Sequence, residues 1–558
     1  MIDGIINLIK KTLVDSGVAA EIAEKVQFSQ PPNPTLGDIS VACFALAPAW
    51  GVSPAEAAGR VQKILNDSKF PSIESISVAG PYLNIVLNAN FVMGQVLRPA
   101  PIKTQKHPRI MFEYSQPNTH KEFHIGHMRN ACYGSSLVNV WRAAGRNVLA
   151  VTYNNDVGSH VAKTLWAYKK FHGGEKPPAE KGRWLAGIYV EATNALAEHP
   201  EWKDEVSDVL RKLETKDKEW FKLWKETRKW SLDEFHAIYR ELGLKFDASF
   251  DESAVKERGQ KIVDELLARG IAKESNGAII MDFEDQKKGV LILRKSDGAG
   301  NYTTSDLALA QEKFNRYKLD EAVIITDNRQ DLYFQQLFLT LRAFGFEQKL
   351  THLSYDLVTL PEGAMSSRKG NVVLYESLRD DVVELATKET RARHADWSEK
   401  KVAATAHALA IAAIKFTMIK TSPKNIIVFD KSEMMAFDGF TAPYIEYTLS
   451  RINSIFKKSR GFIRAPKNYA WNPVERELWV KMFRFNQMVA RAAESNDPSE
   501  VAKYCFELAK SFSSYYENNR VLDDNKAIRA ARLTLVKHLG ATLERGMKLL
   551  GLPIVKEM

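Results

Sequence analysis

Two histidines, His124 and His127, follow a lysine, Lys121, and have one glycine, Gly126, between them. The residues before them, 109–115, are apolar and β-favouring, which predicts a short buried strand. After them, apolar side chains recur at helical spacing, which predicts a helix. The four residues therefore belong to a loop that enters a helix N-terminus, where free N–H groups and the helix dipole favour anions.

This loop has the groups needed to stabilise a phosphate during a reaction. Two imidazoles beside a helix N-terminus can hydrogen-bond phosphate oxygens as negative charge builds on them. Gly126 has no Cβ, so a flat group can approach the backbone closely. The pattern suits a nucleotide whose α-phosphate is attacked. Two alternatives are half of a metal site, for which no third ligand has matching spacing, and ordinary surface histidines at a helix start.

A second candidate segment is GAMSSRKGN at 363–371. Its glycines, its hydroxyls and the adjacent Arg368 and Lys369 predict a mobile loop that could close over a pyrophosphate. Alone, the segment is equally typical of a solvated basic turn. Together with the histidine pair on an α/β sheet, it indicates nucleotide chemistry.

Composition limits the class of protein. A chain of 558 residues exceeds the usual size of one core, so we expect three or four domains. The 78 basic and 68 acidic residues leave a net charge of +10, which suits a polyanionic partner without requiring one. The three cysteines, Cys43, Cys132 and Cys505, are far apart and indicate neither a disulfide framework nor a zinc site.

No targeting or membrane pattern is evident in the chain. Residues 1–17 have the spacing of an amphipathic helix broken by Lys10 and Lys11, unlike a signal peptide. The nearest approach to a membrane span, the apolar run at 408–414, ends at Lys415 and is too short. We therefore expect a soluble cytoplasmic protein.

The pattern along the chain predicts several units. From Arg109, strand-like and helical segments alternate, which favours a parallel sheet with crossover helices. A charged, Trp-rich insertion interrupts the alternation, and Ser231 to Glu234 has the pattern of a capping box that would open one of its helices. Strand signals return at 278–283, 290–294 and 321–326. Beyond about Met435 only helical patterns occur.

Six ordered motifs point to a known family. His124 to His127 match the first signature of class I aminoacyl-tRNA synthetases, and Ala364 to Arg368 occupy the place of the second. The longer motifs that resemble arginyl-tRNA synthetases are EYSQPNTHKEFHIGHMRN, GNYTTSDLALA, RQDLYFQQL, MSSRKGNVV, APYIEYTLSRI and LLGLPIVKEM. NPTLGDISV and VAGPYLNIVL resemble that family's added N-terminal domain, so the likeness covers nearly the whole chain.

The resemblance implies a multidomain α/β fold. Its expected parts are an N-terminal α+β domain that contacts tRNA at 1–97, a linker at 98–108, a split Rossmann catalytic domain at 109–360 with an insertion at about 173–290, a signature loop and stem-contact region at 361–434, and an α-helical anticodon-binding domain at 435–558. The implied reaction joins L-arginine and ATP into arginyl-adenylate, then transfers arginine to the terminal ribose of tRNA(Arg). Magnesium is expected with ATP, although no dedicated ligand set is visible, and a monomer is expected.

The resemblance also implies an arginine pocket. A guanidinium is planar, always charged and has five N–H donors, so its pocket needs carboxylates. The matching positions are Glu113 and Asp306 for the guanidinium, Tyr302 beside them, Asn118 and Gln330 for the α-amino and carboxylate groups, and Ser115 as an additional contact. The alternative for Asp306 is a helix N-cap before LALAQEKF, and it could serve both roles.

For the phosphate end, the resemblance implies two groups of residues. His124, Gly126, His127 and Met365 match ATP-binding positions, and Ser366, Arg368 and Lys369 match the catalytic loop. Class I synthetases commonly carry a lysine where this chain has Ser367, and Lys121 matches a family lysine thought to replace it. Arg368 and Lys369 are competitors for that role. Lys121 could also be a solvent-facing loop lysine.

Four further residues, Tyr444, Tyr447, Arg451 and Met558, match family positions that face tRNA. Aromatic side chains stack on splayed bases while arginine holds phosphate. The alternative is that the tyrosines, spaced by three on a helix, belong to the core.

The chain departs from the family's pattern at two places. Many members have a histidine where this chain has Tyr333, which leaves the contact there open. The segment NNDVGSH at 154–160 replaces the usual GDWG neighbourhood and suggests a divergent bacterial subgroup.

Two alternative functions would each predict different features in the sequence. Other nucleotidyltransferases of the superfamily also carry an H-x-G-H loop, but they are short and lack an all-helical tail. A non-catalytic RNA-binding paralogue would be expected to have lost Asn118, Gln330 or the histidines, and all of these are present.

Overall fold

The N-terminal unit is a small antiparallel sheet covered by helices, seen here in a computed structural model. The structure describes all residues except 1, 100–102, 297, 299, 362, 365–372, 432, 437 and 460–468. The elements of the unit are α1 (Ile2–Asp15), α2 (Ala20–Lys25), β1 (Gln27–Ser29), β2 (Ile39–Ala42), α3 (Ala47–Trp50), α4 (Pro54–Asp67), β3 (Ile73–Ala79), β4 (Tyr82–Leu87) and α5 (Ala89–Leu97). The strand order is β1-β2-β4-β3. Ser53 and Glu56 form a reciprocal capping box that starts α4, with Pro54 in the first turn.

A parallel sheet forms the centre of the molecule. The elements that build and surround it are β5 (Arg109–Glu113), α6 (Ile125–Ala143), β6 (Asn147–Asn154), α7 (Ser159–Phe171), α8 (Lys181–Glu198), α9 (Lys203–Glu214), α10 (Lys218–Glu241), β7 (Ala248–Asp251), α11 (Glu252–Ala268), β8 (Lys273–Ser275), β9 (Ala278–Asp282), β10 (Val290–Arg294), α12 (Tyr302–Tyr317), β11 (Glu321–Asp327), α13 (Asp331–Phe344) and β12 (Lys349–Tyr355). The order is β12-β11-β5-β6-β7, with every pair parallel. Because helices cover both faces, β5 and β11 are almost continuously apolar. The predicted α/β class is confirmed.

The segment expected as one insertion, at about 173–290, is divided by a strand of the main sheet. Strand β7 lies inside it and pairs with β6. Along the chain, α8, α9 and α10 come before β7. An antiparallel sheet of order β10-β9-β8 comes after it.

The capping box predicted at Ser231 is wrong. Asp217 caps α10, which continues through Ser231 to Glu241 as a single helix. Ser231 is buried in the middle of this helix, where its hydroxyl accepts a hydrogen bond from the backbone N–H of His120 at 2.9 Å. The Ser231 side chain therefore makes a tertiary contact that holds the loop before α6, and it does not cap a helix.

The rest of the chain is mainly helical. It contains β13 (Val358–Leu360), β14 (Gly363–Ala364), α14 (Tyr375–Arg393), α15 (Glu399–Ile419), β15 (Ile427–Val428), α16 (Ala442–Lys458), α17 (Pro473–Phe483), α18 (Phe485–Glu494), α19 (Ser499–Asn518) and α20 (Lys526–Leu549). Among the described residues, α15 alone is long and apolar enough to cross a membrane. Most of it is buried inside the protein, as in the central helix of a globular core, and it buries Lys415 as well.

Strand order determines where a ligand can enter. From β5 the chain proceeds to β6 and β7 on one side, and later places β11 and β12 on the other. The crevice at the carboxyl ends of β5 and β11 is therefore a topological switch point, the usual ligand position in open α/β sheets. The side chain of Asn130 on α6 bridges the two strands by accepting from the N–H of Ser115 at 2.5 Å and donating to the carbonyl of Ile325 at 2.8 Å.

Candidate active site

A cavity of about 890 Å³ opens at this switch point. It brings together sequence-predicted residues that lie up to 217 positions apart, from Glu113 to Gln330. Those lining it are Glu113, Ser115, Asn118, Lys121, His124, Gly126, His127, Tyr302, Asp306 and Gln330. The carboxylates and the histidine pair thus share one cavity, which is the arrangement expected if a cationic group and a phosphate react there.

The two histidines cap α6 for each other. The Nδ1 atom of His124 accepts from the N–H of Gly126 at 3.1 Å and, more weakly, from that of His127 at 3.4 Å. In return, the N–H of His124 donates to Nδ1 of His127 at 3.3 Å, and the two rings stack with centroids 3.8 Å apart. Because each Nδ1 accepts, the neutral rings carry their protons on Nε2. Both histidines therefore offer Nε2–H as a donor.

The environment keeps both rings neutral. Burial, reinforced by the nearby Lys121 ammonium, lowers the pKa of His124 to about 4. Burial and the neighbouring His124 likewise hold the pKa of His127 well below its usual value. At neutral pH the rings are hydrogen-bond donors without net charge, so positive charge at this end of the cavity must come from lysine or arginine.

Gly126 is required by the histidine that precedes it. A Cβ at this position would lie 2.9 Å from Cε1 and 3.0 Å from Nδ1 of His124. The ring folds back over the helix start, and a side chain at Gly126 would push it away. The close approach that the sequence indicated is thus made by His124 itself.

Asp306 lies at the other end of the cavity and is held by Tyr333. The Tyr333 hydroxyl donates to Oδ2 of Asp306 at 2.5 Å. Burial raises the pKa of Asp306 to about 7, the Tyr333 hydrogen bond opposes that rise, and Glu113 adds to it. Helix α12 begins at Tyr302, so Asp306 lies inside the helix and the helix-cap alternative for it does not hold.

Glu113 has an ionic partner within the protein. Its Oε2 lies 2.5 Å from the ammonium of Lys313, and both side chains are buried. Oε1 accepts from the side-chain amide of Gln116 at 3.3 Å. Of the three carboxylates that line the cavity, Glu113 and Asp327 are already neutralised, by Lys313 and Arg329. Among the described residues, the hydrogen-bond partner of Asp306 is a hydroxyl.

The remaining residues predicted for the arginine pocket are partly buried inside the protein and partly exposed at the rim of the cavity. The Ser115 hydroxyl is buried and donates to the hydroxyl of Tyr239 at 2.9 Å, so it is engaged inside the protein. Asn118 lies in a bridge with Asn155, beyond the end of β6. Tyr302 and Gln330 stand at the rim, where Tyr302 is 69% exposed.

Sequence comparison gives the family. Residues 92–430 match the model described as "tRNA synthetases class I (R), catalytic domain", 445–558 match the "DALR anticodon binding domain", and 3–87 match the "Arginyl tRNA synthetase N terminal domain". The chain belongs to the arginyl-tRNA synthetase family.

Whole-length relatives agree with this. The arginine–tRNA ligase of Bdellovibrio bacteriovorus is 36% identical over 95% of this chain and 93% of its own length. The arginine–tRNA ligase of Streptococcus mutans is 32% identical over 95% of each chain. The structure of Thermus thermophilus arginyl-tRNA synthetase superposes with a TM-score of 0.84 at 25% identity and full coverage of both chains. Arginyl-tRNA synthetase from Plasmodium falciparum has the same fold, with a TM-score of 0.79 at 19% identity over 100% of this chain and 99% of its own.

The helical C-terminal domain carries the residues expected to face tRNA on or beside α16. An N–H of Arg451 donates to the Tyr447 hydroxyl at 3.0 Å, and its guanidinium carbon also lies 5.3 Å from the ring centroid of Tyr516. Tyr447 and Tyr516 are both 37% exposed. The N–H of Met558 donates to Ser450 at 2.8 Å on the same helix.

Tyr444 differs from Tyr447. It is half-buried, its ring packs 5.3 Å from that of Phe506, and its hydroxyl lies 3.3 Å from Ser513. Spacing by three thus placed one tyrosine among core contacts and one on the surface.

The loop of the second signature lies outside the described residues. Met365, Ser366, Ser367, Arg368 and Lys369 all fall within 365–372.

Several cavity residues were missed by the sequence analysis. They are Tyr153, His160, Lys163, Tyr189 and Lys313, all of which line the cavity. Tyr153 is buried, and its hydroxyl has no hydrogen-bond partner among the described residues. Tyr153 lies near the carboxyl end of β6, where ligand-binding residues usually lie in open α/β sheets. No neighbouring residues in the sequence indicated that Lys163 or Tyr189 would line the cavity, because they reach it from α7 and α8.

Proposed function

We propose that this protein is an arginine–tRNA ligase, which activates L-arginine with ATP to arginyl-adenylate and then transfers arginine to the terminal ribose of tRNA(Arg). One observation carries the proposal: a single cavity has both a carboxylate, Asp306, without an ionic partner among the described residues and two neutral imidazole donors. A guanidinium and a phosphate are the groups that these two ends would bind. The family relatives support the same reaction.

At the arginine end, Asp306 is the group that receives the guanidinium. Glu113 contributes less charge, because Lys313 neutralises it. Gln330 and Asn118 hold the α-amino and carboxylate groups, and Tyr302 at the rim closes over the substrate. With arginine so held, its carboxylate oxygen is aligned with the α-phosphorus of ATP, and positioning of this kind removes much of the entropic barrier.

At the phosphate end, the Nε2–H groups of His124 and His127 donate to α-phosphate oxygens as charge grows there. The carboxylate oxygen forms a bond to phosphorus, the bond to the bridging oxygen breaks, and pyrophosphate leaves with the electron pair. Lys121 binds that charge. The protein provides position and electrostatic stabilisation without a covalent intermediate. ATP enters as its magnesium complex.

For the tRNA, we propose contacts at the exposed pair of Tyr447 and Arg451, with Met558 beside them. A base stacks on the tyrosine while the guanidinium holds phosphate. The net charge of +10 favours encounter with the polyanion. We further propose that the enzyme acts in the cytoplasm as a monomer.

The function can be tested by ATP–pyrophosphate exchange with each of the twenty amino acids, with and without tRNA(Arg). We expect exchange with arginine alone, and only when tRNA is present, as the family resemblance implies. Exchange at full rate without tRNA would reject the tRNA dependence. Exchange with another substrate would indicate a different nucleotidyltransferase, and tRNA binding without any exchange would indicate an RNA-binding module.

Tyr333→Phe should shift the pH dependence of arginine use. Arginine binding needs Asp306 ionised, so kcat/KM for arginine should rise with pH through about 7. Removing the Tyr333 hydroxyl raises the pKa of Asp306 further, so the variant should lose roughly tenfold in kcat/KM at pH 7, the worth of one hydrogen bond to a charged group. At higher pH the loss should shrink.

The matched control for that profile is Glu252→Gln. Glu252 is, like Glu113, a carboxyl near Asp306, and burial raises its pKa to about 8, so near pH 7 it is largely uncharged. Its removal should leave the midpoint near 7. A Tyr333→Phe profile with an unchanged midpoint would contradict the proposed control of Asp306.

A further inference from the structure

Two lysines at the phosphate end of the cavity share one aromatic ring. The ammonium of Lys121, in the loop before α6, lies 4.9 Å from the ring centroid of Tyr189 on α8. The ammonium of Lys163, on α7, lies 5.3 Å from the same centroid. All three side chains line the cavity and are half-buried. The inserted helix α8 is therefore coupled to the loop that carries His124 and His127.

Among the described residues, neither lysine has a carboxylate partner. In the part of the chain that the structure describes, no ion pair involves Lys121 or Lys163, and Lys163 makes one long hydrogen bond, to Thr193 at 3.5 Å. The chain forms ion pairs readily elsewhere on α7, where Lys169 and Lys170 pair with glutamates. Two unpaired cations in one cavity repel each other, and a ligand with at least two negative charges removes that cost.

The histidines around the lysines add no positive charge. Burial, reinforced by the charges of Lys121 and Lys163, lowers the pKa of His160 to about 3. The same Lys121 charge acts on His124 and His127, which are also neutral. The positive potential of this end thus comes from lysine and arginine side chains, while the imidazoles remain uncharged donors. Arg329 is paired with Asp327, whereas Lys121 and Lys163 have no ion pair among the described residues.

The ring of Tyr189 can hold ammonium groups without neutralising them. The negative face of an aromatic ring attracts a cation without cancelling its charge. A carboxylate at the same place would cancel the charge that an anion needs. The ring therefore restricts where the two lysine side chains go and leaves their N–H groups free for oxygen acceptors.

We propose that Lys163 is a second pyrophosphate-binding residue and that Tyr189 is the positioning residue for both Lys163 and Lys121. The proposal rests on the proposed function and extends it, because it makes the inserted helix α8 part of the phosphate end. When the bond between the α-phosphorus and the bridging oxygen breaks, pyrophosphate takes the electron pair, and the two ammonium groups bind the oxygens on which this charge gathers. No proton is transferred in this step.

The test is ATP–pyrophosphate exchange with arginine and tRNA(Arg), measured at varied pyrophosphate concentration in full-length variants. Lys163→Ala should lower kcat by roughly tenfold or more and raise the KM for pyrophosphate, as expected for loss of a contact to developing charge. The KM for arginine should not change. The matched control is Lys169→Ala, which removes a lysine on the same helix that lies 4.2 Å from the ring centroid of Trp220 and does not line the cavity. It should exchange at the wild-type rate.

A pair of Tyr189 variants tests the positioning role. Tyr189→Leu should show the same rise in the KM for pyrophosphate as Lys163→Ala, while Tyr189→Phe, which keeps the ring, should restore most of the activity. Equal activity of the Leu and Phe variants would overturn the role of the ring. Thermal melting of each variant separates loss of fold from loss of function.

Two results would overturn the role of Lys163. One is an unchanged kcat and pyrophosphate KM in Lys163→Ala. The other is normal exchange with slow transfer of arginine from preformed adenylate to tRNA. That result would indicate that Lys163 contacts the 3′ end of the tRNA and not pyrophosphate. In both cases wild-type exchange with arginine would still stand, so failure of this proposal is distinguishable from failure of the proposed function.

Discussion

Lys121→Ala should lower kcat for adenylate formation by roughly 10²-fold or more, as loss of one preorganised transition-state contact does. The position that commonly carries a lysine in class I synthetases is Ser367 here, and a neutral hydroxyl cannot stabilise departing pyrophosphate as a cation does. Lys121 lines the cavity beside the histidine pair and has no ionic partner among the described residues. The KM for arginine should change little, because the contact strengthens only as charge moves.

Rapid-quench measurement of adenylate formation checks this. Arg368→Ala and Lys369→Ala are the comparison variants, since the second signature loop contains the competing cations. A wild-type rate of adenylate formation in Lys121→Ala, with a large loss of rate in one of these two variants, would contradict the role of Lys121. The cation that stabilises departing pyrophosphate would then belong to that loop.

Asp306→Asn should lower arginine kcat/KM by roughly 30-fold or more, because loss of one partner of a charge pair typically costs about 2–5 kcal/mol. Glu113 cannot compensate, since Lys313 already neutralises it. Asp306 is also not the cap of α12, so the substitution leaves the helix start intact. Steady-state exchange at varied arginine concentration measures the effect.

Glu312→Gln is the matched control for that substitution. It removes an exposed carboxylate on the same helix, away from the cavity, and should leave arginine kcat/KM unchanged. A correctly folded Asp306→Asn enzyme with unchanged arginine kcat/KM would remove Asp306 from guanidinium recognition.

The parts of this site that the sequence predicted are those with a local signature. The strand before the histidines, the loop that contains them and the helix after them are neighbours in the chain, so spacing and residue type sufficed. Asp306 was placed by resemblance, and no nearby residue showed that Tyr333, on another helix, would hold it.

What escaped prediction depends on contacts between distant segments. Lys313 gave no sign of its pairing with Glu113, 200 positions earlier, because a lysine on a helix usually faces solvent. Ser231 has the local pattern of a cap, yet α10 continues through it. The Ser231 hydroxyl accepts a hydrogen bond from the backbone N–H of His120, so it does not cap a helix. Strand β7 is only four residues long and lacks a strong apolar pattern, so its place at the edge of the sheet was not visible.

The central claim is that this cavity selects arginine by its charge and attaches it to tRNA(Arg). Aminoacylation of a tRNA(Arg) transcript, with arginine compared against citrulline, tests it most directly, because citrulline replaces the charged guanidinium with a neutral urea of similar shape. We predict efficient charging by arginine and at least about 30-fold lower kcat/KM with citrulline, the loss expected when a carboxylate faces no cation. Equal charging by both, or no charging by arginine, would contradict the account.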